Sequence, residues 1–120
     1  MELQINQVED LCMGAALLGA GGGGDPYLGG LMVKRELAAG RRIKIVDPQD
    51  VPDDALILPT AMMGAPTVLL EKIPSGEEVL TAFGQLQEYL GERAWGTMPT
   101  EVGGINSTIP LFVGARGAFI

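Results

Sequence analysis

Apolar residues in the N-terminal third of the chain recur at helical spacing and predict two consecutive helices. The segment NQVEDLCMGAALLG, residues 6–19, repeats apolar residues three and four positions apart. Asn6 is a predicted cap for this helix, with Glu9 three residues later as in a capping box. Asp25 is placed to cap the second helix, and Gly40 to end it. The glycine-rich stretch between the helices is then their connection.

Alternating and β-branched apolar stretches farther along the chain predict short strands. RIKIVD at residues 42–47 and ALILP at residues 55–59 have this composition, and AWGTM at residues 94–98 is a third candidate. Between the last two, EEVLTAFGQLQEYL at residues 77–90 returns to helical spacing. Helices that alternate with short strands predict an α/β fold in which the helices pack on a largely parallel sheet.

Further signals delimit the C-terminal half of the fold. Ser75 and Glu78 form a predicted capping box ahead of the helix at residues 77–90. TIPLFVGA at residues 108–115 predicts a last helix. The final residues GAFI, 117–120, have the composition of the start of another buried strand, and the sequence ends within it. We therefore expect residues 1–120 to be a single, partial α/β domain that is incomplete at its C-terminus.

Composition and charge argue against two classes of partner. Apolar residues make up 47% of the 120 residues and charged residues 19%, so the chain can bury a core. The net charge of −7 argues against nucleic acid, which rewards clustered Lys and Arg. The basic residues that fall between residues 34 and 44 are explained by a solvated helix end, with a phosphate-binding role as the alternative. No apolar run reaches the roughly 18 to 20 residues that span a membrane.

Cysteine and histidine content limits the chemistry and the compartment. Cys12 is the only cysteine, so no internal disulfide forms, and its apolar surroundings favour packing over catalysis. The chain has no histidine, which excludes a Ser-His-Asp triad or a His-based zinc site built from this chain alone. The acidic N-terminus lacks the basic region of a signal peptide, and we expect a cytoplasmic protein.

The stretch ALLGAGGGGDPYLGG, residues 16–30, is the first candidate for binding chemistry. It contains a formal G-x-G-x-x-G at Gly19, Gly21 and Gly24, and Asp47 follows as the ribose-binding acid of a dinucleotide unit would. That fingerprint requires a strand before the glycines, whereas this sequence predicts a helix there. We favour the interpretation that the glycines join two helices and bring backbone N–H groups beside a concave site for an anion or oxyanion.

Polar residues in and near two further loops extend this candidate site. Asp25 is either the helix cap alone or a site residue. In MPTEVGGINST, residues 98–108, Glu101 is a candidate general base or metal ligand. Asn106 and Ser107 either bond substrate amides or cap the last helix. In AMMGAPT, residues 61–67, Met62 and Met63 are either core residues or part of the site, and Gly64 and Pro66 predict a fixed turn that lines the same cleft.

Three segments taken together carry a family resemblance. GAALLGAGGGGDPYLG, AMMGAPTVLLEKIPSGEE and MPTEVGGINSTIPL resemble the N-terminal domain of the S-methyl thiohydantoin desulfurase family, earlier DUF917, which is grouped with hydantoinase- and oxoprolinase-like proteins. In that family the matching region is followed by an Asp- and Gly-rich segment and a second, mostly β domain. The resemblance thus implies a truncated member whose partners are a missing C-terminal domain or partner chain, with a homo-oligomer left open.

The resemblance implies a hydrolase or desulfurase that acts on a cyclic amide or thiohydantoin-type ring. The motif positions that match make Glu101 and Asp25 the expected catalytic residues. They imply substrate contacts from Gly21, Gly22, Gly23, Gly24, Met63, Gly64, Asn106 and Ser107. The cofactor is unknown, a divalent metal being one option, and the chain is not expected to be active alone. The alternative is a non-catalytic nucleotide-binding or subunit-interaction module that uses the glycine-rich loop and the basic stretch.

Overall fold

Helices and two short strands alternate along the chain, which confirms the predicted α/β class. The computed structural model describes residues 1–116, apart from the side chains of residues 66 and 70. The strand predicted to begin at GAFI lies outside the described residues. The elements in chain order are α1 (Val8–Gly19), α2 (Pro26–Ala38), β1 (Ile57–Thr60), α3 (Pro66–Glu71), α4 (Glu77–Leu90), β2 (Gly96–Pro99) and α5 (Ile109–Arg116), with single 3₁₀ turns at Ile5–Gln7, Pro48–Asp50 and Ile105–Ser107.

The sheet of the described chain consists of β1 and β2, which pair in parallel. Ile57 lies opposite Gly96, and Thr60 lies opposite Pro99. Parallel strands need a crossover connection, and α3 and α4 supply it here. The two predicted strands at ALILP and AWGTM are therefore confirmed, with each strand shifted by two residues toward the C-terminus at its start.

The core lies where α2, α5 and the 3₁₀ turn before α5 meet. Val33 of α2 and Val113 of α5 are completely buried. The largest side chains with less than 2% exposure are Phe112, Ile105, Ile109, Val8, Val33, Val113 and Thr108. A helix that is apolar on most of its sides is expected to be buried, and α5 fits this rule. The loop before α5 is thus held against the core.

The segment RIKIVD does not form a strand in the sheet, so that prediction is wrong. It is extended and pairs with the N-terminus instead, because the N–H of Leu3 donates to the Ile43 carbonyl at 2.9 Å. The pairing is a single antiparallel bridge between Glu2 and Lys44. The alternation of apolar residues shows that one side of this segment is buried, and Ile43 is indeed buried. An extended segment outside the sheet can bury one side as well as a sheet strand can, so the pattern does not distinguish the two.

The helix ends agree with the sequence in most places. Asp25 caps α2, since its Oδ1 accepts the N–H of Tyr27 at 2.9 Å, and Gly40 follows α2 with a φ of +82°. Before α4 the predicted pair does interact, since Glu78 Oε1 accepts the N–H of Ser75 at 3.5 Å and Ser75 Oγ accepts the N–H of Glu77 at 3.1 Å, but the N-cap residue is Gly76. The cap at Asn6 is wrong, because a 3₁₀ turn precedes α1 and Asn6 lies inside that turn.

Cations of the basic stretch are largely held in ion pairs. Arg35, Arg41 and Arg116 surround the carboxylate of Glu36, which is only 3% exposed. Lys34 pairs with Glu9 at 2.5 Å and Arg42 pairs with Glu2 at 2.5 Å. These contacts agree with the interpretation of a charged, solvated helix end. Within the described part of the chain, no helix has both the length and the apolar character needed to cross a membrane.

Candidate functional site

The glycine-rich loop between α1 and α2 packs directly on the loop after β2. Gly104 donates its N–H to the Ala15 carbonyl at 2.8 Å, and Ile105 donates to the Gly24 carbonyl at 3.2 Å. A Cβ atom on Gly23 would lie 2.6 Å from the Gly103 carbonyl oxygen, and one on Gly19 would lie 2.9 Å from the Gly104 nitrogen. The glycines are concentrated here because two backbones approach more closely than any side chain permits.

Gly21 and Gly22 have a different role from the glycines that pack on the second loop. Both are exposed, and Gly22 donates its N–H to the Gly19 carbonyl at 2.7 Å. Gly21 has a φ of +90°, a conformation that residues with a Cβ atom rarely adopt. These two glycines turn the chain from α1 toward α2, and their predicted substrate contacts stay predictions.

A cavity of about 370 Å³ opens where three loops converge. The glycine-rich loop contributes Gly23 and Gly24, and the loop after β1 contributes Met62, Met63 and Gly64. The loop after β2 contributes Glu101. Ile105 and two residues of α3, Val68 and Leu69, close the wall. The structure thus brings together one member or more of each of the three segments that the sequence singled out.

Asn106 connects two of these loops by a pair of hydrogen bonds. Its Oδ1 accepts the N–H of Met62 at 2.8 Å, and its Nδ2 donates to Glu101 Oε1 at 2.8 Å. Asn106 is 4% exposed, whereas Glu101 is exposed. Both ends of the Asn106 amide are engaged within the protein. The residue therefore fixes the carboxylate of Glu101, in addition to any substrate contact.

The hydroxyl groups that follow Asn106 bond back to their own loop. Ser107 Oγ accepts the N–H of Gly103 at 2.8 Å, and Thr108 Oγ1 donates to the Ile105 carbonyl at 2.6 Å. Ser107 lines a second, larger cavity rather than the one that contains Glu101. The hydroxyls therefore shape the loop, and the substrate contact predicted for Ser107 stays a prediction.

Asp25 and Cys12 lie outside the lining of the Glu101 cavity. Asp25 is exposed and bonds the first turn of α2, so its catalytic role stays a prediction. Cys12 is half-buried, with its Sγ 3.5 Å from the Pro26 carbonyl oxygen. Burial raises the pKa of the Cys12 thiol, which disfavours the nucleophilic thiolate.

The dinucleotide fingerprint lacks its structural context. The element before the glycines is the helix α1 and not a strand, and Asp47 caps a 3₁₀ turn through the N–H of Gln49 at 2.9 Å. The basic side chains of Arg41, Arg42 and Lys44 line a separate cavity of about 670 Å³ that no residue of the glycine run lines. The structure thus confirms the other interpretation, in which the glycines connect the two helices α1 and α2.

One feature of the site, the helix α3, escaped the sequence analysis. The segment beginning AMMGAPT contains the start of α3, which places Val68 and Leu69 on the cavity wall. The signal was Pro66 at the first helical position, where its missing N–H costs nothing. Among residues 1–116, no group of three or more acidic, Cys or His side chains is placed to hold a metal ion.

The fold and the cavity together define the class of protein. It is a mixed α/β domain whose loops form a pocket of small-molecule size beside one carboxylate. Residues 6–119 match the family model described as S-Me-THD-like, N-terminal domain, and the chain belongs to this family. Searches of curated proteins and of solved structures give no significant match.

Proposed function

We propose that this chain is the N-terminal part of a hydrolase or desulfurase that acts on a cyclic amide or thiohydantoin-type ring. One observation carries the proposal: the three segments that resemble the thiohydantoin desulfurase family meet around a single cavity that contains Glu101. Membership of the S-Me-THD-like family supports the same substrate class. A volume of about 370 Å³ is within the range of small-molecule sites.

In this proposal Glu101 is the general base that activates water. Asn106 occupies Oε1, so Oε2 is the oxygen that accepts the proton from a water directed at the ring carbon. The backbone of Gly23, Gly24 and Gly64 forms the polar part of the wall, beside the apolar side chains of α3. Backbone N–H groups in such a wall stabilise the charge that develops on oxygen or sulfur during the attack.

The test measures the turnover of an S-methylated thiohydantoin, monitored through the release of the thiol. Replacement of Glu101 by Gln keeps an oxygen that accepts the bond from Asn106 and removes the base, and we expect turnover to fall about 100-fold or more. Glu92→Gln, which removes an exposed carboxylate after α4, serves as the matched control. Normal turnover in Glu101→Gln would remove Glu101 from the mechanism, and no turnover in the unmodified protein, with or without the rest of a family member, would refute the proposal.

A nucleotide-binding module is the weaker candidate. It requires the glycines and the basic stretch at one site, whereas the described structure assigns them to different cavities. Phosphate groups in the glycine-lined cavity would also face the carboxylate of Glu101. We therefore do not put this function forward.

The partner and the location are part of the proposal. An apolar groove of about 650 Å³ between α1, β2 and α5 is a candidate surface for a C-terminal domain, a partner chain or a second copy. The location that we propose is the cytoplasm.

A further inference from the structure

The Glu101 cavity has a single ionisable side chain among its described lining residues, that of Glu101 itself. The rest of the wall consists of glycine backbone and of apolar side chains such as Met62, Leu69 and Ile105. A ligand in this space therefore meets a fixed negative charge with apolar walls behind it.

Several arginines of the described chain that could offset this charge are engaged elsewhere. Arg35, Arg41 and Arg116 hold Glu36, and Arg42 holds Glu2. The hydrogen bond to Glu101 comes from the uncharged amide of Asn106, which orients the carboxylate without neutralising it. The described lining of the cavity thus holds one carboxylate and no basic side chain.

From this arrangement we infer that the cavity selects ligands by charge: it accepts an uncharged ring and rejects the ring-opened anion of the same molecule. The inference rests on the proposed function for the identity of the ring. Like charges about 5 Å apart at a protein surface repel strongly enough to lower affinity more than tenfold. Glu101 is then a specificity-determining residue as well as the proposed base.

Selection by charge has a consequence for any ring opening at this site. Hydrolysis adds one water across the ring C–N bond, which breaks: the carbon takes the water oxygen and becomes a carboxylate, the leaving nitrogen gains one of the two water protons, and the other proton goes to Glu101 and then to solvent. The product is an anion in a cavity that already contains a carboxylate. Repulsion between the two carboxylates then expels the product and prevents it from competing with the next uncharged ring.

The experiment compares hydantoin with N-carbamoylglycine, its ring-opened anion, by ¹H–¹⁵N NMR titration of the chain at neutral pH. We expect hydantoin to shift the amide signals of Gly24, Gly64 and Glu101 and to bind at least tenfold more tightly than the anion. Glu101→Gln should raise the affinity for the anion at least tenfold and change that for hydantoin by less than threefold. Glu92→Gln makes the same change in net charge away from the cavity and should leave both affinities unchanged.

The outcomes separate the inference from the proposed function. Equal binding of both ligands to the unmodified chain, or no gain in anion affinity in Glu101→Gln, would overturn the charge rule while leaving a hydantoin site in place. If hydantoin shifts no signal in either variant, the proposed ring substrate is wrong. In that case the affinity for the anion in Glu101→Gln still tests the selection by charge: a higher affinity supports it, and an unchanged affinity overturns it.

Discussion

Asn106 is the residue on which the geometry of the candidate site depends most. It is buried, and its amide satisfies a backbone N–H from the loop after β1 and a carboxylate oxygen from the loop after β2. A buried polar side chain with both ends bonded fixes its neighbours, whereas a half-satisfied one destabilises the fold. The side-chain amide therefore determines where the carboxylate of Glu101 lies.

Replacing Asn106 by Asp tests this arrangement through charge. At neutral pH two carboxylates would face each other where the 2.8 Å bond now lies, and we expect the free energy of unfolding to fall by about 1–3 kcal/mol. The loss should shrink at acidic pH, because one proton shared by the pair restores a donor. Urea unfolding of the variant and the unmodified chain at neutral and at acidic pH measures the difference.

The double variant Glu101→Gln/Asn106→Asp is the control for that prediction. The amide introduced at position 101 can donate to the carboxylate introduced at position 106, so the bond re-forms with its direction reversed. Stability at neutral pH should then return to within about 0.5 kcal/mol of the unmodified chain. A single Asn106→Asp variant as stable as the unmodified chain would show that the two side chains do not interact in solution.

At the scale of elements, the site is built by loops that the secondary structure forces together. α1 and α2 pack on each other and on the turn before α5, so the glycine loop between them meets the loop after β2. The loop after β1 arrives beside them because β1 and β2 are parallel neighbours, and parallel strands end at the same edge of a sheet. The cavity lies at this junction.

Contact between the two glycine loops predicts unequal effects of glycine substitutions. Gly23→Ala places a Cβ atom against the Gly103 carbonyl and requires a left-handed backbone, so we expect a loss of about 1–3 kcal/mol. Gly84→Ala in α4 meets no neighbouring atom within 4 Å and should stabilise the chain by about 0.5–1 kcal/mol. Thermal unfolding of both variants checks the contrast, which similar effects at the two positions would contradict.

The cap of α4 predicts a pH-dependent contribution to stability. The backbone N–H of Glu78 itself and the Ser75 hydroxyl hold the pKa of Glu78 below its usual value. The carboxylate therefore stabilises the fold above its unfolded pKa, and this contribution disappears as the pH falls through the lowered value. Ser75→Ala should raise the pKa of Glu78 toward its usual value, as NMR titration measures, and should lower the stability of the fold. An unchanged Glu78 titration would rule out the capping box in solution.

At the scale of the whole molecule, Glu36 ties together segments that are far apart in the chain. Its carboxylate receives Arg35 of α2, Arg41 after α2 and Arg116 at the end of α5, and Arg116 also reaches Glu77 of α4 at 2.9 Å. A buried carboxylate is tolerated only when such partners compensate for its lost hydration. This cluster joins α2, α4 and α5 through charged contacts outside the lining of the Glu101 cavity.

Glu36→Gln removes the charge that these guanidinium groups share. We expect a loss of about 1–3 kcal/mol in the free energy of unfolding, moderated because Arg35 and Arg41 are partly exposed to water. Glu88→Gln on the exposed side of α4 is the matched control and should change stability by less than about 0.5 kcal/mol. Urea unfolding at low ionic strength measures both, and equal effects would show that the cluster contributes nothing specific.

Much of the secondary structure could be predicted because its signals are local. Asp25 with the following proline, the Ser75 and Glu78 pair and the glycines after the helices mark ends that depend on a few neighbouring residues. The prediction of a sheet strand at RIKIVD is wrong because an alternation of apolar residues indicates which side of a segment is buried. It does not indicate which backbone segment pairs with it, which here is the N-terminus. Short helices such as α3 depend on packing for most of their stability, so their sequence signal is weak.

The sequence by itself determined the α/β class, most of the helix caps, the joining of two helices by glycines and the three loops that contain unusual residues. Only the tertiary structure decided which members of those loops meet: Gly23, Gly24, Met63, Gly64 and Glu101 share one cavity, whereas Gly21, Gly22, Asp25 and Ser107 lie outside its lining. The reason is physical. Caps and turns arise from bonds between near neighbours in the chain, but a cavity forms from side chains and backbone that only long-range packing brings within a few ångströms.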